Sequence, residues 1–220
     1  MDCPATATTY RVGSPLREWT SPGVQRPRGD HTRHAVSRSG ACGYLPGMGY
    51  RHRRRPARSP GPRFIVQHHV AGSDHYHFRL QIDGALASWV IPSGPSTKPT
   101  DSRMARRTED RPLDYAEFEG VIPDGECGAG SVVVWDCGTY SNRTEHQMTT
   151  CLGRGHLSFR LYGEKLHGGY ALTRIREGKN ETWLLMKRRD AEASDDTARR
   201  NPVRTEPESV LTGRTLDELS

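Results

Sequence analysis

The sequence predicts an all-β protein with minor α-structure: a compact antiparallel β-barrel with disordered extensions at both ends. From Pro62 onward, short runs rich in β-branched and aromatic residues recur between Gly, Pro, Asn and Asp. No long stretch repeats its apolar residues with the period of a helix. The runs are therefore expected to pair with one another, as they do in an antiparallel barrel or sandwich.

Nine runs are predicted to be strands. They are residues 63–70, 75–82, 85–91, 106–109, 116–121, 131–135, 157–162, 170–175 and 182–187. The Asp-Gly pair at 83–84 separates the second run from the third and is typical of a two-residue type I′ hairpin. Residues 128–130, Gly-Ala-Gly, lack the Lys-Ser/Thr and the helix of a phosphate-binding loop, so a turn is the favoured interpretation.

Charge divides the chain into three parts. Residues 1–60 carry eleven arginines and three acidic residues, residues 61–190 have a net charge of +1, and residues 191–220 have one of −3. We therefore expect a basic disordered arm, a barrel domain and an acidic, polar C-terminal tail. The arm is either a solvated tail or a segment that attracts a polyanion, with nucleic acid favoured over membrane.

Other sequence features concern the C-terminal tail, the redox state of the cysteines and the cellular location of the protein. Thr215 and Glu218 have capping-box spacing, so the tail either forms a short helix there or frays. Five cysteines without a Cys-x-x-Cys pair predict reduced thiols. No apolar run has the length of a membrane span and no signal peptide is evident, so we expect a cytoplasmic protein with no membrane partner.

Four of the ten histidines lie within residues 68–77. On a strand, alternation places His75, His77 and Arg79 on one face, while the apolar residues between them face the core. His69 on the neighbouring strand would complete a set of three nitrogen ligands for a divalent ion. Single solvent-facing histidines are common, but three beside an arginine favour a metal site.

A second polar segment runs from Arg103 to Tyr115 and is rich in arginine. A guanidinium donates two parallel hydrogen bonds, so these arginines, with the tyrosine hydroxyl, suit a phosphate that has free oxygens. Sequence spacing alone does not separate this interpretation from ordinary surface charges.

Several blocks of sequence, taken in order, resemble one known family. The blocks are RFIVQHH (63–69), HYHFRL (75–80), SWVIPSGPS (88–96), TEDRPLDY (108–115), FEGVIPDG (118–125), GAG (128–130), VWD (134–136) and WLLMKRRD (183–190). Together they resemble the 3′-phosphoesterase domain of bacterial DNA ligase D. The resemblance predicts a free-standing version of that domain.

The resemblance implies a β-barrel enzyme of non-homologous end joining that trims the 3′ ends of DNA. Its substrates would be primer–template ends that carry a terminal ribonucleotide or a 3′-phosphate, and its cofactor manganese or a similar divalent ion. Separately encoded ligase and polymerase repair proteins are candidate partners. The implied location is the bacterial cytoplasm, at the nucleoid when the protein is bound to DNA.

The resemblance also assigns roles to individual residues. By motif, His69 and His75 match metal ligands of the family, and Arg79 and Arg103 match its phosphate-contacting arginines. Tyr115 matches its active-site tyrosine. These assignments are expectations that rest on the family pattern.

Glu109 matches an acidic residue that borders the site in the family. Three other positions depart from the family pattern. His77 stands where the family has an aspartate ligand, Arg111 where it has the active-site histidine, and Ser93 where it usually has lysine. Asp74 cannot replace the missing carboxylate on a regular strand, because alternation directs it to the other face. We count Arg111 and Ser93 among the substrate-binding residues, and Arg111 also among the catalytic ones.

The departures change the expected chemistry. Three imidazoles carry less negative charge than two imidazoles and a carboxylate, and they favour zinc or another nitrogen-preferring ion over manganese. An arginine does not donate a proton at neutral pH, because its pKa stays above about 12. We therefore expect a slow phosphoesterase, with a catalytically weakened DNA-end-binding module as the alternative.

Overall fold

The computed structural model describes residues 61–126, 128–193 and 201–219. This part of the chain contains β1 (Arg63–Val70), β2 (Asp74–Ile82), β3 (Ala85–Ile91), β4 (Ser102–Arg111), β5 (Gly120–Ile122), β6 (Gly130–Asn142), β7 (His156–Tyr162), β8 (His167–Arg176) and β9 (Thr182–Lys187). The strands follow the order β1-β2-β3-β4-β9-β8-β7-β6, and β6 also pairs with β1. Eight antiparallel strands thus close into a barrel, with β5 added beside β6. The predicted barrel is confirmed.

Alternation along the strands fills the interior of the barrel with apolar side chains. Phe78, Trp89, Phe159 and Trp183 are fully buried in one cluster, and the last named meets Trp89 edge-on at 5.6 Å between ring centroids. An eight-stranded barrel has an interior just wide enough for its own side chains. Polar groups that bind a ligand must therefore lie on the outer face or at the ends.

The turn between β2 and β3 fixes the alignment of these two strands. Asp83 and Gly84 have φ angles of 49° and 78°, as a type I′ turn requires. The resulting register places Arg79 directly opposite Ser88. The Asp83-Gly84 turn therefore brings Arg79 and Ser88 together.

One part of the outer face is also buried. Two segments, which we call the cover, lie over it: residues 113–122, with a 3-10 helix (Leu113–Glu117) and β5, and residues 206–216. Val210 and Leu211 of the cover pack against an outward-facing apolar cluster. That cluster contains Ile65, Leu86, Val134 and Cys137 of the barrel wall, together with Ala116 of the cover.

The observed elements differ from the prediction mainly where polar residues dominate. β4 and β6 are longer than predicted, because their outward and end positions are polar and hide the apolar alternation. The predicted strand 116–121 is wrong in part: only its end contributes to β5. The side chain of Gln67 donates to the carbonyls of Tyr115 at 3.3 Å and Phe118 at 3.1 Å, so these carbonyls need no partner strand.

Helical structure is limited in the described residues. α1 (Met148–Arg154) ends at Gly155, whose φ of 77° is left-handed, and α2 (Pro202–Thr205) follows the barrel. No helix there has the length and apolar character needed to cross a membrane. The side chains of Cys137 and Cys151 are buried.

The C-terminal residues pack against the barrel, so the expectation of a disordered C-terminal extension is wrong for residues 201–219. The indole of Trp135 donates to the carbonyl of Glu206 at 2.7 Å, and the N–H of Val210 donates to the carbonyl of Val134 at 3.0 Å. Polar composition concealed these contacts, because they use mainly backbone atoms of the segment.

Two of the predicted features lie near the ends of the chain. Glu218 accepts from the N–H of Thr215 at 3.0 Å, as the capping-box spacing predicted, and a 3-10 helix (Asp217–Leu219) forms there. The predicted basic arm, residues 1–60, lies outside the described residues.

Replacing Ser209 with alanine is expected to destabilise the fold. Its buried hydroxyl donates to Glu119 and accepts from the N–H groups of Leu211 at 2.9 Å and Thr212 at 3.1 Å. Loss of these bonds should cost about 1–3 kcal/mol in chemical unfolding. The control Ser102→Ala, at an exposed strand position, should change stability by less than about 0.5 kcal/mol. Equal, small effects would contradict the packed C-terminal segment.

Candidate active site

The predicted histidine cluster forms on the outer face of β1 and β2. His69 lies directly opposite His75, and Gln67 lies opposite His77. Because paired residues point to the same side of a sheet, the three imidazoles come together on the outside of the barrel wall. His69 is buried, and His75 and His77 are partly buried.

Three ring nitrogens, one from each histidine, converge. The candidate ligand atoms of His69, His75 and His77 all lie within 4.8 Å of one another. Nδ1 of His69 is 3.1 Å from Nε2 of His75 and 3.4 Å from Nε2 of His77. These separations are shorter than two metal–nitrogen bonds of about 2.0–2.1 Å laid end to end, so one ion can contact both nitrogens of each pair.

The remaining nitrogens of two of these rings show where the hydrogens are. Nε2 of His69 is 3.3 Å from the carbonyl of Ala129, and Nδ1 of His75 is 3.0 Å from the carbonyl of Ser73. A carbonyl only accepts, so these nitrogens carry the hydrogen and the facing nitrogens carry lone pairs. Two lone pairs 3.1 Å apart repel each other unless a cation lies between them.

A proton is poorly suited to be that cation. Burial lowers the pKa of His69, and neighbouring His75 adds to the effect. Burial, followed by the charge of Arg79, lowers the pKa of His77 to about 2. The imidazoles of His69 and His77 are therefore neutral, as metal ligands are, and the residues fit a divalent ion that takes nitrogen donors.

Asp74 does not join the cluster. It lies on the other side of β2, where its carboxylate is 3.4 Å from Nε2 of His68, whose ring stacks on Tyr76. Alternation predicted this placement. The convergent set is thus three imidazoles without a carboxylate.

Arg79 is a buried cation next to the histidine cluster. It is 3% exposed, donates from Nε to Gln67 at 3.0 Å and from Nη1 to Ser88 at 2.6 Å. No acidic side chain pairs with it in the described part of the chain. Burial lowers its pKa to about 10, so it remains charged at neutral pH. A buried charge held only by neutral groups is costly, and an anionic ligand would offset that cost.

Arg111 and Tyr115 extend the positive surface beside Arg79. Both guanidinium groups lie over the Tyr115 ring, at 5.2 Å for Arg79 and 5.6 Å for Arg111 from the ring centroid. The charge of Arg111 adds to the burial that lowers the pKa of both Arg79 and His77. Two like charges held this close create a strong attraction for a polyanion.

Three other predicted residues are described by their strand positions, exposure and partners. Arg103 shares the interior-facing side of β4 with Ala105 and pairs with Asp101 at 2.8 Å. Ser93 is exposed after β3, and Glu109 is exposed at the bulge of β4. The structure thus unites His69, His75, His77, Arg79, Arg111 and Tyr115, whereas roles for Arg103, Ser93 and Glu109 rest on the resemblance.

Sequence reasoning missed several groups that hold the site in place. Gln67 and Ser88 are fully buried and orient Arg79, and the carbonyls of Ala129 and Ser73 orient two imidazoles. Gln67 and Ser88 both lie in the sequence blocks that resemble the family. That position was the only sequence signal that could have indicated their role. The backbone carbonyls left no signal, because any residue type supplies one.

A closed barrel with convergent imidazoles, two arginines and a tyrosine on its outer face defines a candidate metal site for a phosphate-like anion. Residues 67–174 belong to the family of the DNA Ligase D 3′-phosphoesterase domain, whose model matches this range. The resemblance in the sequence is confirmed.

Curated relatives agree with this assignment. The chain is 46% identical over 155 residues to the multifunctional non-homologous end joining protein LigD of Pseudomonas aeruginosa. It is 40% identical over 130 residues to the multifunctional non-homologous end joining DNA repair protein LigD of Mycobacterium tuberculosis. The alignments cover 70% and 59% of this chain but only 18% and 16% of the relatives. The similarity therefore concerns one domain of much longer proteins.

Gly130→Ala is expected to disturb the metal site. A Cβ at this position would lie 2.0 Å from the carbonyl oxygen of Val70 and 3.1 Å from Nε2 of His69. The matched control is Gly128→Ala, which also has a positive φ but whose Cβ would meet its nearest neighbour at 3.9 Å. Gly130→Ala should lose about 2 kcal/mol or more of stability and bind zinc or manganese more weakly than the control. Calorimetric metal titration and chemical unfolding measure both effects, and matching losses in the two variants would contradict this account.

Proposed function

We propose that this protein is a metal-dependent phosphoesterase that removes a 3′-phosphate or a terminal ribonucleotide from DNA ends. The family of residues 67–174 supports a hydrolase of this class. The printed names of the relatives, which refer to non-homologous end joining and DNA repair, support DNA ends as the substrate. Separate ligase and polymerase repair proteins are the proposed partners.

The observation that carries the proposal is the position of Arg79. It is a buried guanidinium without a carboxylate partner in the described residues, two residues along the same strand face from His77. A site built for a cation alone would gain nothing from a second positive charge beside it. A metal site beside an arginine suits an anion that both can contact, and a phosphate meets that requirement.

Each residue has a distinct role in the proposed reaction. His69, His75 and His77 would hold the ion, which supplies Lewis-acid stabilisation of charge on the phosphate oxygens. Arg79 and Arg111 donate hydrogen bonds to those oxygens and offset the charge that develops in the transition state. The Tyr115 ring fixes the separation of the two guanidinium groups, and its hydroxyl binds a phosphate oxygen.

The ligand set supports a proposal about the ion. Nitrogen donors favour zinc, cobalt, nickel or copper over manganese, and His77 contributes a nitrogen where the family pattern has a carboxylate. The absence of a carboxylate in the convergent set also leaves the site with a higher positive charge when an ion is bound. Zinc is therefore the proposed ion, with manganese as the alternative that the family resemblance implies.

Arg111 limits the proposed catalysis. It keeps a cation beside the phosphate but does not protonate the leaving oxygen at neutral pH. A general acid typically contributes about 10²–10⁴ to a rate, so turnover should be slow. This substitution also favours a second candidate function, a DNA-end-binding module with weakened catalysis.

A single-turnover assay separates the two functions. An oligonucleotide duplex labelled beside a 3′-phosphate is incubated with the protein and zinc, cobalt or manganese in parallel. If the protein is a phosphoesterase, the 3′-phosphate should be removed, fastest with zinc or cobalt. The variant His75→Ala should not remove it. His156→Ala, at an exposed histidine of β7, is the control and should retain activity. Gel-shift binding without product in every metal would select the binding module instead.

Restoring the family pattern should increase the rate. The double variant His77→Asp, Arg111→His returns a carboxylate ligand and a group that can donate a proton near pH 7. Turnover on the same 3′-phosphate substrate in manganese should rise by about tenfold or more relative to the unmodified protein. The single variants serve as controls. Unchanged turnover in a folded double variant would overturn the argument about these two positions.

A further inference from the structure

The two flanks of the candidate active site differ in accessibility. On the β1–β6 flank, the outward residues Ile65 and Val134 are fully buried beneath the cover. On the β3–β4 flank, Leu86 and Ser88 of β3 are also fully buried, but Val90 is partly exposed. On β4 of this flank, Arg106 and Thr108 are exposed, and Met104 is 52% exposed. A large ligand whose end occupies the site must therefore extend across β3 and β4.

The outer face on that open flank carries no acidic side chain at a paired strand position. Register assigns the outward positions of β2, β3, β4 and β9. They are His75, His77, Arg79 and Gln81 on β2, Leu86, Ser88 and Val90 on β3, Ser102, Met104, Arg106 and Thr108 on β4, and Thr182, Leu184 and Met186 on β9. Acids adjoin this face in the bulge of β4, where Asp110 is paired with Arg107, and just before β4 and β9, where Asp101 is paired with Arg103 and Glu181 with Arg174. The arginines at the paired outward positions of this face are Arg79 and Arg106.

Arg106 lies in the centre of this face and in line with the metal site. Val90 pairs with both His77 and Arg106, so the three side chains form one cross-strand row on the outer side. Arg106 has no ion-pair partner among the described residues. An exposed arginine without an ion-pair partner in the described residues, on a face whose paired outward positions carry no acid, is available for an external phosphate.

We propose that the outer face of β4, together with Val90 of β3, seats the double-helical DNA that precedes the 3′ terminus, and that Arg106 contacts its phosphate backbone. This inference rests on the proposed function, because the terminus is taken to lie at the histidine cluster. Strands are about 4.8 Å apart, so Arg106 lies about 10 Å from His77 along the wall. On a duplex with one phosphate per about 3.4 Å of each strand, that distance corresponds to about three nucleotides.

The closed barrel limits how far a rigid duplex can follow this surface. From β2 to β4 is two of the eight strands, or a quarter of the circumference, whereas β8 is half-way round. Arg176 on β8 pairs with Thr182, which in turn pairs with Arg106, so it belongs to the same outward row. It is exposed and has no ion-pair partner among the described residues. DNA is stiff over about 150 base pairs, so a duplex that ends at the histidine cluster on β2 and touches Arg106 does not bend half-way round the barrel to Arg176.

These two arginines provide a matched pair of variants. Arg106→Ala should weaken binding to a duplex with a recessed 3′-phosphate end by about five- to tenfold near 0.1 M salt. The slope of log affinity against log salt should become shallower by about one, because one phosphate contact is lost. Arg176→Ala should leave both quantities unchanged. Binding is measured by fluorescence anisotropy with the full chain, and turnover is measured on the same duplex.

The outcomes distinguish this surface from the proposed activity. An affinity loss confined to Arg106→Ala supports the surface even if the unmodified protein shows no turnover, a result that would count against the proposed enzyme alone. No effect of Arg106→Ala on affinity and slope overturns the surface even if the enzyme is active. Equal losses in both variants also overturn it, since they would indicate diffuse attraction by net charge.

Discussion

The pairing of β1 with β2 is the constraint on which the site depends. Opposed residues of an antiparallel pair point to the same side, so His69 and His75 meet because their backbones are hydrogen-bonded neighbours. Alternation then places His77 and Arg79 in sequence along the same outer surface. The barrel interior could not hold these groups, because aromatic side chains fill it. Alternation of side chains along the strands thus directs apolar residues into the core and the polar residues of the candidate site to the outer face.

The electrostatics of the site follow from its burial on this wall. Desolvation keeps the imidazoles of His69 and His77 neutral, whereas Arg79 retains its charge although only an amide, a hydroxyl and an aromatic ring contact it. Neutral donors and a positive guanidinium leave two needs unmet, one for a cation between the rings and one for an anion beside them. A metal ion with a bound phosphate satisfies both needs, so the site is interpreted as one unit.

Much of the fold and the centre of the site could be predicted from the sequence, because both follow from local patterns. The ends of β1, β3 and β9 and the Asp-Gly turn matched the prediction, since each is set by neighbouring residues. The contacts of Gln67 with Tyr115 and of Ser209 with Glu119 could not be predicted, because they join residues far apart in the chain. Arg103 shows a second limit of prediction from sequence. Its motif was visible in the sequence, but the side of the sheet that Arg103 faces depends on strand register, which the motif does not give.

Closure of the sheet has a consequence for how such a scaffold can change its chemistry. A wall hydrogen-bonded all the way round has no hinge, so the distances between its outward Cα positions are nearly fixed. New reactivity cannot arise by opening or shifting this framework. It must come from exchanging the side chains that the wall carries, such as the imidazole of His77 on β2 and the guanidinium of Arg111 on β4.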